Sequence, residues 1–387
     1  MKRDVKSLEE LAQPQMLRLI PYSAGKPIED VQRELGLDDV LKLASNENPL
    51  GPSPRALQAI REALGGLHRY PDGGCRALRQ GLSRRLGVRP EELCFGNGSN
   101  ELLELVTRAF LGPGDEVVMG HPAFLVYRSV CQAVGGRIRE VHLKDFTHDL
   151  RGMRQAVSNR TKMVFLGNPN NPTGTCVSPA HLHDFVRELC ADVILVVDEA
   201  YREYVPRYLR PDVLRHIRDG RYVLTLRTFS KAYGLAGLRI GYGIAPAEMV
   251  AILNRVRQPF NVNALAQTAA LAALEDTAHL EETLRITEAG RRSLQSSLDE
   301  LGLSHVPSVT NFVLVDVEVE GKAVADALLR KGVIVRSMEA YGLPTQIRVT
   351  VGTPRENARA IQALAEVVGM MRTAVRSSNS TGGRSEQ

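Results

Sequence analysis

Lys231 and Arg239 stand eight residues apart in residues 228–243, TFSKAYGLAGLRIGYG, a stretch otherwise made of small, aliphatic and aromatic residues. A lysine enclosed in a site loses proton affinity, because desolvation disfavours its charged form, and so becomes a nucleophile and a base. An arginine is a poor base but a planar fork for phosphate. Any single lysine is far more often a solvated surface charge. What sets Lys231 apart is its company.

Three further segments supply that company. In VILVVDEAYREY (193–204), Asp198 directly follows five aliphatic residues, at the carboxyl end of a strand, where ligands bind in open α/β sheets. A carboxylate there needs a cation or hydrogen-bond donors. Glu199 beside it reads as a helix cap or a surface acid. In VFLGNPNNPTGT (164–175), turn chemistry accounts for the prolines and glycine, while the asparagine amides can donate to a ligand oxygen. In FGNGSNELLELV (95–106), a strand ends, Gly96 and Gly98 permit a tight turn, and a helix begins near Asn100. Free N–H groups at a helix N-terminus bind phosphate, although a plain strand-to-helix turn has the same appearance. Lysine, arginine, aspartate and glycine turn together describe a site for a phosphorylated aldehyde with a ring nitrogen, which is pyridoxal 5′-phosphate (PLP).

The elements that must position these residues are legible as alternation. Short runs at 92–96, 115–120, 137–143, 162–168, 192–200, 221–226 and 239–245 read as strands, several apolar on both faces. Helical segments lie between most of them, the pattern of a largely parallel α/β sheet. An alanine-rich stretch from 262 runs through a charged helix to about 301. A strand (311–317), a helix (322–331), short strands (333–335 and 347–351) and a last helix (354–371) then read as a smaller α+β domain. The expected division is an N-terminal arm (1–43) packing with the small domain, a large domain (44–278), the small domain (279–372) and a disordered tail (373–387).

Composition narrows the class. The 387 residues carry 43% hydrophobic and 24% charged side chains and a formal net charge of +5, with no basic run of the kind that grips nucleic acid or membranes. Five scattered cysteines without a C-x-x-C pair argue against a disulfide framework and a zinc site and suit a reducing cytoplasm. The start lacks an apolar core of signal-peptide type, and the longest aliphatic run is far too short to span a bilayer. His181 and His183 are metal-like residues, but positions i and i+2 of a helix do not share a face, so no metal is expected. Arg79, Arg84 and Arg85 read as an ordinary helix exterior.

The order GNGSNE, NPNNPTG, VVDEAY, FSKAYGLAGLRIGY resembles the fold-type I PLP-dependent aminotransferases over about residues 21–366. IPYSAGKPIEDVQRELGL, LASNENPLGPSP, RYPDGGCRALRQGL and QIRVTVGTPREN are more specific and are similar to the histidinol-phosphate aminotransferase family. Ala24 departs from that family's frequent proline. The resemblance implies fold type I: a large domain with a mostly parallel sheet sandwiched by helices, plus a smaller α+β domain. It implies that Lys231 carries PLP covalently and moves the substrate proton, that Asp198 pairs with the pyridine N–H, and that Asn171 and Tyr201 bond the ring hydroxyl oxygen. Phe124 would stack on the ring. Ser99, Asn100, Thr228, Ser230 and Arg239 would hold the phosphate, joined by Tyr70 from the neighbouring subunit of a homodimer with shared sites. Tyr22, Asn48, Arg336 and Arg348 would meet the substrate. The implied reaction is transamination between L-histidinol phosphate and 2-oxoglutarate in the cytoplasm. An aromatic amino-acid aminotransferase and a threonine-phosphate decarboxylase-like lyase are the alternatives within the scaffold. A PLP-dependent regulator would need a DNA-binding extension, for which about twenty residues before Pro21 are too few.

Overall fold

The protein is described by a computed structural model covering residues 7–21 and 25–381, with side chains through Thr373. Its main strands are β1 (Leu93–Gly96), β2 (Glu116–His121), β3 (Arg137–His142), β4 (Thr161–Gly167), β5 (Ile194–Asp198), β6 (Val223–Thr228), β7 (Gly241–Ile244), β8 (Phe312–Asp316), β9 (Arg336–Ser337) and β10 (Gln346–Thr350). Among the described residues, β1 to β7 form one sheet in the order β1-β7-β6-β5-β4-β2-β3. β7 runs antiparallel to both of its neighbours, and the other pairings are parallel.

The aliphatic runs follow from this layering. Along β5, Leu195 and Val197 enter the core on one face of the sheet, and Ile194 and Val196 enter the core on the other. β4 alternates in the same way, with Val164 and Leu166 opposite Met163 and Phe165. A strand buried on both faces has no polar side, so its sequence is continuously apolar. Each such side chain contributes about 1.5–3 kcal/mol on burial. β3 is the exception: it lies at the sheet edge and carries exposed Arg137, Arg139 and Glu140. Charged side chains on an edge strand discourage pairing with another chain.

Helices α1 (Gly98–Phe110) and α2 (Leu125–Ala133) follow β1 and β2 and cover one face. Beyond α3 (Thr277–Glu300), the strands β9-β10-β8 make an antiparallel sheet backed by α4 (Gly321–Arg330) and α5 (Pro354–Thr381). The segment Leu41–Lys42 pairs in parallel with Val333–Ile334, and Leu41 and Leu43 join the core of this smaller unit.

Helix α5 extends to Thr381, and residues 382–387 of the tail lie outside the described residues. Among the described residues no helix is long and apolar enough to cross a membrane. Nor does any group of three or more His, Cys, Asp or Glu among them suit a metal ion.

Candidate active site

A cavity of about 210 Å³ opens at the carboxyl ends of the parallel strands and is closed by residues of the smaller sheet. Asp198 and Thr228 are the last residues of β5 and β6, so the strand ends deliver both directly to it. Ser230 and Lys231 follow in the loop after β6, and Arg239 precedes β7. Ser99 and Asn100 come from the first turn of α1, and Phe124 stands at the start of α2. Asn171, Tyr201, Arg336 and Arg348 complete the set of expected residues on its wall.

Burial controls the electrostatics. Desolvation pushes the Asp198 carboxyl up to about 6, although donors partly offset it: the Tyr127 hydroxyl donates to Oδ2 at 2.9 Å and the Ala200 N–H donates to Oδ1 at 3.0 Å. Desolvation pulls the Lys231 amine down to about 8, and the nearby Arg348 charge pulls it further in the same direction. Lys231 Nζ donates to the Ser45 carbonyl at 2.9 Å and lies 5.9 Å from the centre of the Tyr201 ring. The Tyr201 phenol is pushed up to about 12, chiefly by burial, and accepts a hydrogen bond from Asn46 Nδ2 at 2.8 Å.

The backbone is shaped for close approach. Gly98 has φ +71°, and a Cβ there would fall 2.6 Å from Arg239 Nη2. The start of α1 and the guanidinium thus form a cradle that any side chain would fill. The first N–H groups of a helix have no intrahelical partner and carry its positive dipole end, so this cradle suits an anion. Arg239 itself sits at φ 58°, an uncommon conformation for a non-glycine residue. Arg348 is buried; its two terminal nitrogens donate to Asn171 Oδ1 and, at 2.8 Å, to the Ala44 carbonyl, while its Nε is buried without a protein partner. A phosphate cradle, an enclosed low-affinity amine, a buried carboxylate and an aromatic at the rim fit PLP.

Several expectations need correction. Asn48 does not line the cavity: its Nδ2 donates to the Ala232 carbonyl at 3.0 Å and to Thr283 Oγ1 at 3.1 Å. Asn46 occupies the wall instead, held at φ 55°. Of the asparagines in NPNNPTG, only Asn171 faces the cavity. Asn168 accepts from the Val177 N–H and Asn170 donates to Pro122 O and Thr173 Oγ1, so both are spent on the loop. Glu199 is neither cap nor surface acid: it is buried and paired with Arg227 at 2.8 Å. Arg79 is no plain exterior residue either, since it donates to the carbonyls of Gly74, Pro90 and Leu93.

Tyr70 lies away from the cavity in this chain, 83% exposed and stacked on Phe260 at 4.9 Å. Tyr22 and Ala24 fall outside the described residues. Tyr127 was missed, because an aromatic on an amphipathic helix looks like any core residue; its bond to Asp198 spans 71 positions and leaves no local signal.

Known proteins match this chain along most of its length. The profile of the aminotransferase class I and II family matches residues 38–364. Histidinol-phosphate aminotransferase of Moorella thermoacetica is 49% identical over 91% of this chain and 92% of its own, and histidinol-phosphate aminotransferase 2 of Pseudomonas fluorescens Pf-5 is 49% identical over 92% and 97%. The crystal structure of histidinol-phosphate aminotransferase from Sinorhizobium meliloti in complex with pyridoxal-5′-phosphate superposes with a TM-score of 0.87, at 31% identity, over 93% of this chain and 98% of that one. The chain belongs to the class I and II aminotransferases, within the histidinol-phosphate aminotransferase family.

Proposed function

We propose that this protein transfers the amino group of L-histidinol phosphate to 2-oxoglutarate, giving imidazole acetol phosphate and L-glutamate, a step of histidine biosynthesis. The observation that carries the reading is one cavity lined at once by Lys231, Asp198 and Arg239 and by the arginines Arg336 and Arg348. The relatives at 49% identity support this substrate over the aromatic amino-acid and lyase alternatives.

The cofactor is PLP, which when bound supplies an aldehyde carbon that takes the amino group and a ring that accepts electrons. Lys231 would hold it covalently. Its amine, when free, would take the proton from the substrate Cα; an amine drawn down to about 8 by burial is partly unprotonated near neutral pH and suits that role. Asp198 would keep a proton on the ring nitrogen. Asn171 and Tyr201 would bond the ring hydroxyl oxygen, and Phe124 would stack on the ring. Ser99 and Asn100, Thr228 and Ser230, and Arg239 would hold the phosphate, with Tyr70 reaching it from a partner subunit.

Arg336 and Arg348, with Tyr22, would bind the substrate's anionic end, which is a phosphate in one substrate and a carboxylate in the other. An arginine fork suits both. On the same reading the large PLP-binding domain is 44–278 and the small domain 279–372, and the enzyme works as a cytoplasmic homodimer. The exposed Tyr70–Phe260 stack, with exposed Leu64 and Leu67 close by in the chain, supports a partner surface there.

The test is spectroscopic. Purified holoenzyme mixed with L-histidinol phosphate should lose the absorbance of the aldehyde form and gain that of the amine form, and 2-oxoglutarate should reverse the change. A faster conversion by phenylalanine would move the assignment to the aromatic aminotransferases.

A further inference from the structure

Among the described residues, two tyrosines line the cavity: Tyr201 accepts from Asn46, and Tyr127 bonds to Asp198. It donates to Asp198 Oδ2 at 2.9 Å, and both residues are buried. Its ring is fixed from two sides: it stacks on Phe165 with centroids 5.1 Å apart and planes 10° apart, and it meets Phe124 edge-on at 5.6 Å and 88°. Space for the hydroxyl is reserved by Gly167, which pairs with Asp198 across β4 and β5; a Cβ at Gly167 would come within 3.2 Å of the Tyr127 hydroxyl oxygen. Burial raises the Tyr127 phenol well above its ordinary value, with the Asp198 charge adding to the effect, so the hydroxyl stays a donor at any working pH.

We propose that Tyr127 is a positioning residue, holding the Asp198 carboxylate in the orientation that meets the cofactor's ring nitrogen. The inference rests on the reading of Asp198 as that nitrogen's partner. A carboxylate on a strand end can rotate about its side-chain torsions, and one N–H bond from Ala200 leaves a swivel. The Tyr127 bond to the second oxygen removes it, and the stacked ring makes the donor itself immobile. The bond also favours the charged form of Asp198 against its own burial. The charged and titratable groups that face Asp198 include Tyr127, Glu199, Lys231 and Tyr201, and of these Tyr127 bonds to it directly.

The test compares the unmutated holoenzyme with Tyr127→Phe, Asp198→Asn and the double variant. Three quantities are read: the dissociation constant of PLP, the pH titration of the bound cofactor's absorbance, and kcat against KM for histidinol phosphate. Loss of one hydrogen bond to a charged partner is expected to weaken PLP binding about tenfold. It should move the absorbance titration and lower kcat with little change in KM. In the Asp198→Asn background the same substitution should change PLP binding less than about twofold, because the carboxylate charge that Tyr127 orients is gone. Gly167→Ala, which crowds the hydroxyl without removing it, should move the titration in the same direction. Equal effects of Tyr127→Phe in both backgrounds, or an unmoved titration, overturn the proposal while leaving Asp198 in its role. A silent Asp198→Asn overturns the reading of Asp198 and this proposal with it.

Discussion

Arg336 and Arg348 are direct partners across the antiparallel pair β9–β10, and both line the cavity that holds Lys231. Side chains of directly opposed residues lie on the same face of a sheet. Two like charges placed there repel, an arrangement that an anion between or beside them relieves. Arg336→Ala should therefore reduce kcat/KM for histidinol phosphate by roughly 10- to 100-fold, the worth of a charge-assisted hydrogen bond. The loss for glutamate should be smaller, because a dianion loses more from a missing cation than a carboxylate does. Specificity constants for both substrates check it, and equal losses would remove Arg336 from the substrate's anionic end.

Lys231→Ala should abolish turnover in a folded protein. The lost proton transfer alone accounts for about 10²- to 10⁴-fold. Borohydride reduction of the unmutated holoenzyme followed by peptide mapping should place the pyridoxyl group on Lys231. Finding it on another lysine would contradict the site.

The protein stripped of PLP should show a pH dependence of stability with two limbs. Asp198 lies at about 6 in the fold against an ordinary 3.8, so between those values the folded chain binds more protons than the unfolded one and stability falls as pH rises. Lys231 lies at about 8 against an ordinary 10.5, so between those values the unfolded chain binds more protons and stability rises with pH. These two groups together are least favourable between about 6 and 8. Thermal unfolding of the apoprotein from pH 4 to 10 measures this. The stability of the unmutated protein relative to Asp198→Asn should fall from pH 4 to 6 and level off above; a relative stability that is flat from pH 4 to 6 would rule out the acid limb.

Subunit exchange tests the shared site. Lys231→Ala and Tyr70→Ala should each be inactive or nearly so as homodimers. Mixed under conditions that exchange subunits, they should recover up to about a quarter of full activity, since half the dimers are hybrids and each hybrid has one intact site. No recovery despite exchange shown by mass spectrometry would place Tyr70 outside the partner's site.

Much of this protein is legible in its sequence, and the reasons are local. A strand covered on both faces must be apolar throughout, so VILVV announces β5, and a charge ending such a run has no structural use, which singles out Asp198. Lys231 and Arg239 stand out for the same reason, as cations in a stretch of small and buried residues. What the tertiary structure alone decided is the allocation of hydrogen bonds. Asn46 and Asn48 are two residues apart and chemically identical, yet the left-handed backbone at Asn46 turns its amide to Tyr201, 155 positions away, while Asn48 is spent on Thr283. Glu199 finds Arg227 only because β5 and β6 are neighbours, and Tyr127 finds Asp198 only because α2 crosses the sheet beside β4. Periodicity reports which face of an element is buried; it carries no record of which distant donor will satisfy a buried acceptor, because that pairing exists only once the chain has folded.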